Sequence, residues 1–359
     1  MVTEEMIKQL PKVELHDHLD GSLRPRTILE LAEKEGVQLP AATPEELAAW
    51  FHRGADRKSL SLYLEGFAYT TALMQSRESL RRVAREHMHT LAEDNVVYGE
   101  IRFAPCLHQK QGLNIEEVVK SVLEGLDEGS QETGVKYGLI LCAMRHQKVS
   151  LEIAELAVAF RSRGVVGFDI AGDEFGHPPK KHLDAFQYIK NRNFNITIHA
   201  GEAFGVESIW QAVQICGAHR IGHATRLVED MVVHGTRIEK MGTLSSYILD
   251  KRIPMEICLS SNVQTGAAKS LDTHPFQIYH RNNFRVMLCT DNRLMSNTSL
   301  SKEMGLAVEY YGLDIRDLEK LSINAMKSAF IGYNERIELI YDVLKPRFAQ
   351  LRETINPNM

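Results

Sequence analysis

Short runs rich in β-branched and apolar residues recur along the chain, separated by longer stretches whose apolar residues fall three and four apart. That alternation predicts repeated βα units, in which a buried strand is followed by a helix that crosses back to a parallel neighbour. Eight runs qualify: residues 13–18 (VELHDH), 97–104 (VYGEIRFA), 136–144 (KYGLILCAM), 165–171 (VVGFDIA), 195–200 (NITIHA), 220–223 (RIGH), 255–259 (MEICL) and 285–290 (RVMLCT). Helical patterns over 115–133, 151–161, 181–192 and 208–216 are long enough to serve as crossovers. Eight such units predict an α/β fold of the (β/α)8 TIM-type barrel class. The alternative is an open doubly wound sheet, but no GxGxxG opens any helix to favour it.

The spacing is uneven after the first run, where residues 19–96 carry helical patterns at 27–34, 44–51, 60–74 and 79–93. No composition shift or linker sets this stretch apart. It is expected to be a helical insertion over about residues 24–94 that lids the barrel mouth within one domain spanning 1–359. Extra C-terminal helices are predicted at 299–311, 315–330 and 335–348, and the tail 354–359 is expected to fray.

The chain has 359 residues, 44% hydrophobic and 25% charged, a globular profile that excludes a disordered or fibrous protein. A net charge of −5 provides no overall positive field for a polyanion, so nucleic acid is not an expected partner. No apolar stretch approaches the roughly 18 residues of a membrane span, and the polar start MVTEEMIKQL lacks a signal-peptide core, so the expected location is the cytoplasm. Five cysteines are scattered singly with no CxxC pair, as in reduced thiols; a metal here would need His and carboxylate ligands.

Barrel enzymes place their chemistry at the C-terminal ends of the strands, and here those ends converge on ligating groups. The first run ends in His16 and His18, the fifth in His199, followed by Glu202, the sixth in His223, and the eighth runs into Asp291 and Asn292. Alternation along a strand points His16 and His18 into the mouth and Asp17 away from it. With His199 and Asp291 they give three nitrogens and one carboxylate oxygen, a set suited to one zinc ion with a position left for water.

The segments PKVELHDHLDGS (11–22), CAMRHQ (142–147), DIAGDE (169–174), HAGE (199–202), RIGH (220–223) and SSNVQTGA (260–267), with Asp291, resemble in order the motifs of the adenosine deaminase family. The resemblance spans residues 11 to about 303. It implies a zinc-dependent barrel, one Zn2+ per chain, that hydrolyses the 6-amino group of a purine nucleoside. By the same resemblance His16, His18, His199 and Asp291 are the zinc ligands, Glu202 protonates the purine N1, and His223 holds or deprotonates the attacking water. Gly172 offers its N–H to N3, and Tyr63, Leu64 and Phe67 cover the ring. Asp20 stands where adenosine deaminases carry Asp and adenine deaminases Glu, which implies a contact with the ribose 5′-hydroxyl. Many members carry two acids where this chain has Asp291 and Asn292, and Asn292 is expected to donate to N7.

Other polar residues are assigned structural roles: His146 a hydrogen bond, Arg102 an ion pair near Glu100, His87 and His89 the surface of a helix, Met287, Met295 and Met304 core filling. Asp173 and Glu174 are expected to brace the site from behind. Three rival functions are a binuclear amidohydrolase, a deaminase of another adenine nucleoside such as aminodeoxyfutalosine, and a catalytically dead binding barrel. The first usually bridges its metals with a lysine after the fourth strand, and residues 164–179 contain none.

Overall fold

A computed structural model describes residues 2–355, and in it eight parallel strands alternate with helices and close into a (β/α)8 barrel. In chain order they are β1 (Lys12–His18), β2 (Val96–Phe103), β3 (Lys136–Met144), β4 (Val165–Ala171), β5 (Asn195–Ala200) and β6 (Arg220–His223), then an antiparallel hairpin of β7 (Met231–His234) and β8 (Arg237–Met241), then β9 (Met255–Ile257) and β10 (Val286–Leu288). Barrel neighbours follow the order β1-β2-β3-β4-β5-β6-β9-β10. Four strands, β3 to β6, match their predicted runs end for end. β9 and β10 stop two residues early, because the chain turns into the Leu259–Gln264 helix after one and bends at Asp291, with φ of 63°, after the other. The hairpin was not foreseen: its alternating half-exposed residues and Gly235 turn fall outside a βα reading.

The seam where the barrel closes is also where the chemistry gathers. Asp17 bridges Asp291, the His18 N–H donates to the Asp291 carbonyl at 2.7 Å, and the Asp291 N–H donates to the His16 carbonyl at 2.7 Å. Closing the sheet therefore brings the His-x-His pair against Asp291. Charge fills much of the barrel interior: Arg102 contacts Asp169 at 2.9 Å and Glu256 at 3.0 Å, while Arg220 contacts Glu100 and Glu256, each at 2.6 Å. All are buried, and each charge has an opposite partner, without which burial would cost several kcal/mol. Arg102 takes the structural ion pair expected of it, with Asp169 and Glu256 and not with its near neighbour Glu100. Two residues apart on one strand, the two share a face but lie at different heights, and each meets the opposite charge at its own level.

The insertion after β1 is helical, at Pro25–Glu35, Pro44–Ala55, Leu60–Tyr63, Phe67–Leu73 and Arg77–Glu93. The single helix expected over 60–74 is broken by a tight turn at Leu64–Gly66, where the backbone runs so close to Met295 that a β-carbon on Gly66 would lie 2.9 Å from its sulfur. A cap at Ser76 starts the Arg77–Glu93 helix, whose buried face includes Leu80, Val83, Ala84, His87 and Leu91. His87, expected on the surface, is buried on that face, 3.3 Å from Asp17, whereas His89 is half exposed beside Glu132. The carboxylate that β1 points away from the mouth supplies the partner that makes a buried imidazole tolerable. Met287, Met295 and Met304 are buried, as expected. The closing helices are Leu300–Tyr311, Ile315–Ser328 and a continuous run from Tyr333 to Ile355 that widens at Leu339–Leu344. The tail expected to fray is helical through Ile355, and residues 356–359 lie outside the described residues. No described helix is long and apolar enough to cross a membrane.

Candidate active site

At the C-terminal mouth, His16 on β1, His199 on β5, His223 at the end of β6 and Asp291 beyond β10 bring one donor atom each within 4.8 Å of one another. His18 completes the ring, with Nε2 3.1 Å from His199 Nε2 and 3.5 Å from Asp291 Oδ1. Burial holds His18, His199 and His223 below the usual imidazole range, so all three are neutral, and the lone pairs of His18 and His199 stay free to ligate. Carboxylates behind two of the rings fix which nitrogen faces inward: Glu256 contacts His16 Nδ1 at 2.8 Å, and Asp169 contacts His199 Nδ1 at 3.0 Å. The Ser261 hydroxyl donates to Asp291 Oδ2 at 2.6 Å, leaving Oδ1 toward His16 at 3.3 Å.

A backbone amide sets the tautomer of His223. The Phe276 N–H donates to His274 Nδ1 at 3.0 Å, so neutral His274 carries its proton on Nε2 and donates it to Asn262 Oδ1 at 3.2 Å. Asn262 is thereby oriented with its amide N–H toward His223 Nδ1, at 2.9 Å. Neutral His223 then carries its proton on Nε2, which lies 3.6 Å from Glu202 Oε2.

Glu202 sits in a tight loop after β5. The Glu174 carboxylate accepts the backbone N–H groups of Gly201, Glu202, Ala203 and Phe204 at 2.7 to 3.0 Å, which pins that loop. Gly201, at φ of 77°, packs against Ile209 where no β-carbon fits. Burial, with the negative Asp291 and Glu174 nearby, pushes the Glu202 carboxyl up to about 8, so it is protonated at neutral pH.

These groups form one wall of a cavity of about 380 Å³, whose other lining residues include Asp20, Tyr63, Leu64, Phe67, Gly172 and Asn292. Its size falls in the usual range for small-ligand pockets. Tyr63 is fixed by a 2.8 Å hydrogen bond between its hydroxyl and Ser296. A family model described as adenosine deaminase matches residues 11–346.

The chain belongs to the adenosine deaminase family.

It is 52% identical over 354 residues to adenosine deaminase 1 of Streptomyces coelicolor, covering 97% of this chain and 89% of that protein. Among solved structures it resembles Arabidopsis ADAL complexed with IMP, at TM-score 0.82 and 30% identity over 96% of this chain and 99% of that one. A Burkholderia ambifaria amidohydrolase with bound Zn shares the fold at TM-score 0.86 and 22% identity, over 100% of this chain and 96% of that one. Adenosine deaminase family enzymes are zinc-dependent, and the donor set at the mouth fits that ion: imidazoles and a carboxylate at one point, with the outer nitrogens of His16 and His199 facing carboxylates.

Every ligating, catalytic and substrate-facing residue expected from the sequence of this adenosine deaminase family member lies in this one pocket or at its metal-side wall. His146 does not take the structural hydrogen bond expected of it. It is exposed at the pocket rim, where the chain turns outward after the buried Arg145, and its ring makes no hydrogen bond to the described residues. Asp173 and Glu174 divide their work: Glu174 pins the Glu202 loop, while Asp173 accepts the Ser61 hydroxyl of the insertion at 2.6 Å. Sequence reasoning missed Asp169, Glu256, Asn262, His274 and His108. Two of them carried a signal, being lone acids inside strands buried on both faces.

Proposed function

We propose that the chain hydrolyses the 6-amino group of adenosine and 2′-deoxyadenosine, giving inosine or deoxyinosine and ammonia. The observation that carries this reading is a protonated carboxyl, Glu202, set beside a zinc-type donor cluster in a mostly apolar, nucleoside-sized cavity of an adenosine deaminase family member. His16, His18, His199 and Asp291 are assigned as the residues that hold zinc, which when bound supplies Lewis acidity and a hydroxide nucleophile near neutral pH. Addition at C6 drives electrons onto N1, and Glu202 delivers its proton there as that charge develops. The Nε2–H of His223 is oriented to donate to the incoming oxygen, so its first task is to hold the nucleophile rather than take its proton. The departing amine takes the proton that the added hydroxyl gives up as the C6 carbonyl forms, relayed by the Glu202 carboxylate left after N1 is protonated, with His223 3.6 Å away.

The cavity's far end favours a nucleoside. Asp20 is buried, its Oδ1 has no hydrogen-bond partner among the described residues, and His108 Nε2 lies 3.7 Å from its Oδ2. A free carboxylate oxygen accepts a 5′-hydroxyl and repels a 5′-phosphate, which argues against the nucleotide ligand of the Arabidopsis relative. The reduced, mostly buried cysteines fit a cytoplasmic enzyme. An ultraviolet assay of adenosine, deoxyadenosine, adenine, AMP and aminodeoxyfutalosine tests the assignment, alongside metal analysis. The expected result is about one zinc per chain and a kcat/KM for the two nucleosides at least about tenfold above the other three. Comparable turnover of adenine or AMP overturns the role of Asp20. Two metals per chain point to a binuclear amidohydrolase, and no metal with no turnover points to a binding module.

A further inference from the structure

The starts of β5, β6, β9 and β10 border a second cavity, of about 470 Å³, at the end of the barrel opposite the catalytic mouth. Lys251, Arg252, Arg285, Lys327 and Arg336 line it, and no Asp or Glu does. Cations elsewhere on the surface are matched differently: Arg24, Arg77, Arg81, Arg82 and Arg85 each sit on a glutamate. The five in the cavity have no carboxylate partner among the described residues. Arg252 and Arg336 donate only to backbone carbonyls, those of Asn283 and of Lys327 and Ala329. The Nε atoms of Arg285 and Arg336 are buried with no hydrogen-bond partner. Arg220 also reaches the cavity, but Glu100 and Glu256 neutralise it from below.

Such an arrangement is unfavourable by itself. Like charges repel over these separations, and a half-buried guanidinium loses hydration. Burial and the neighbouring Arg252 and Arg336 charges lower the pKa of Arg285, so its environment works against its own charge. A chain with 47 acids and 42 bases had ample carboxylate to place there. The feature that satisfies all five cations at once is an anion from outside. Guanidinium forks match phosphate oxygens, and the exposed Lys251 and Lys327 add two mobile charges at the rim. Five cations exceed what one phosphate needs, and Tyr247, 38% exposed at the edge, offers a flat face beside them. The net charge of −5 disfavours a long polyanion, which needs an extended positive surface.

We propose that this cavity binds a small anion carrying several linked phosphates, of the nucleoside triphosphate or inorganic triphosphate type, at a site separate from catalysis.

Calorimetric titration of the zinc-loaded full-length protein tests it, with inorganic triphosphate as the primary probe because it has no base to enter the catalytic pocket. Triphosphate and ATP are expected to bind saturably, orthophosphate at least about tenfold more weakly, and all with affinity that falls as salt rises. ATP binding tighter than triphosphate assigns the nucleotide as the source, through its ring; equal affinities assign the phosphate chain. Arg285→Gln and, separately, the exposed Lys327→Glu are expected to weaken triphosphate about tenfold or more, with deamination of adenosine unchanged. Lys240→Ala, on the hairpin, is the control and leaves binding intact. Absence of saturable triphosphate binding, or unaltered affinity in a folded Lys327→Glu protein, overturns the proposal, as does a short single-stranded oligonucleotide binding more tightly than triphosphate.

Discussion

The wall of the catalytic pocket that gathers His16, His199 and Asp291 and the wall assigned above to the purine treat their polar atoms in different ways. On the metal side each group has a polar partner behind it: Asp169 on His199, Ser261 on Asp291 and Asn262 on His223 through hydrogen bonds, and Glu256 on His16 through a 2.8 Å charge contact. On the substrate side Glu202 Oε1 and Asp20 Oδ1 are buried with no hydrogen-bond partner among the described residues. The difference teaches where each kind of function shows itself. A metal centre is recognised by how firmly its donors are oriented, because affinity depends on fixed geometry. A recognition surface is recognised by buried polar atoms left unbonded, since each costs roughly 1–3 kcal/mol until a ligand meets it.

The sharpest way to break this comparison is Glu202→Gln, which keeps the shape of the substrate wall and removes its proton. Turnover is expected to fall about 100- to 10,000-fold, the usual range for lost general acid catalysis, with zinc content unchanged. Near-normal turnover would remove Glu202 from the chemistry. The converse variant, Asp169→Asn, acts on the other wall. It takes the negative charge from behind His199 while Arg102 keeps Glu256 as a partner. Zinc affinity, read by competition with a chelator, is expected to weaken about 10- to 100-fold. An unchanged affinity shows that the orientation of His199 comes from packing rather than from the carboxylate.

The two walls were also unequally legible in the sequence. Strand-end histidines are placed by the alternation of a strand, a local rule, so His16, His18 and His199 could be located from their runs alone. The residues behind them come from strands on other sides of the barrel, and only the closed sheet tells which charge meets which. Asp169 and Glu256 stood out as lone acids in buried strands, yet their partners Arg102 and Arg220 lie 67 and 36 residues away. His87 failed for a related reason: correct helical phasing says which residues share its face, not that Asp17 of β1 waits behind it. The break of the 60–74 helix depended on Met295, more than 200 residues later.

Asn292 tests the substrate wall with a smaller expected effect. A β-carbon built on Gly21 would overlap Asn292 Oδ1, so the amide is seated against bare backbone with its oxygen toward Gly21. That seating turns the amide nitrogen away from Gly21, with one N–H toward the Tyr63 hydroxyl and the other left to donate, which fits a contact with the purine N7. 7-Deazaadenosine lacks this acceptor and is expected to lose about tenfold in kcat/KM relative to adenosine. Asn292→Ala should erase most of that discrimination, and Gly21→Ala should reduce it by displacing the amide without touching a metal ligand. If the wild type processes both nucleosides equally, Asn292 does not read N7.

The smallest effect belongs to the edge where the insertion meets the barrel. Ser61 donates to Asp173 at 2.6 Å across the mouth, beside Leu60, Tyr63 and Leu64, which cover the cavity. Both Ser61 and Asp173 are partly exposed, so water competes for each, and the net worth of the bond is at the low end of roughly 0.5–1.5 kcal/mol. Tyr63, by contrast, is buried and tied to Ser296, so the insertion stays seated without Ser61. Ser61→Ala is therefore expected to raise KM for adenosine by no more than about threefold and to leave kcat and zinc content unchanged. A loss of about 100-fold in kcat would mean instead that Ser61 touches the substrate, and would move the boundary between lid and recognition surface to the Leu60–Tyr63 helix itself.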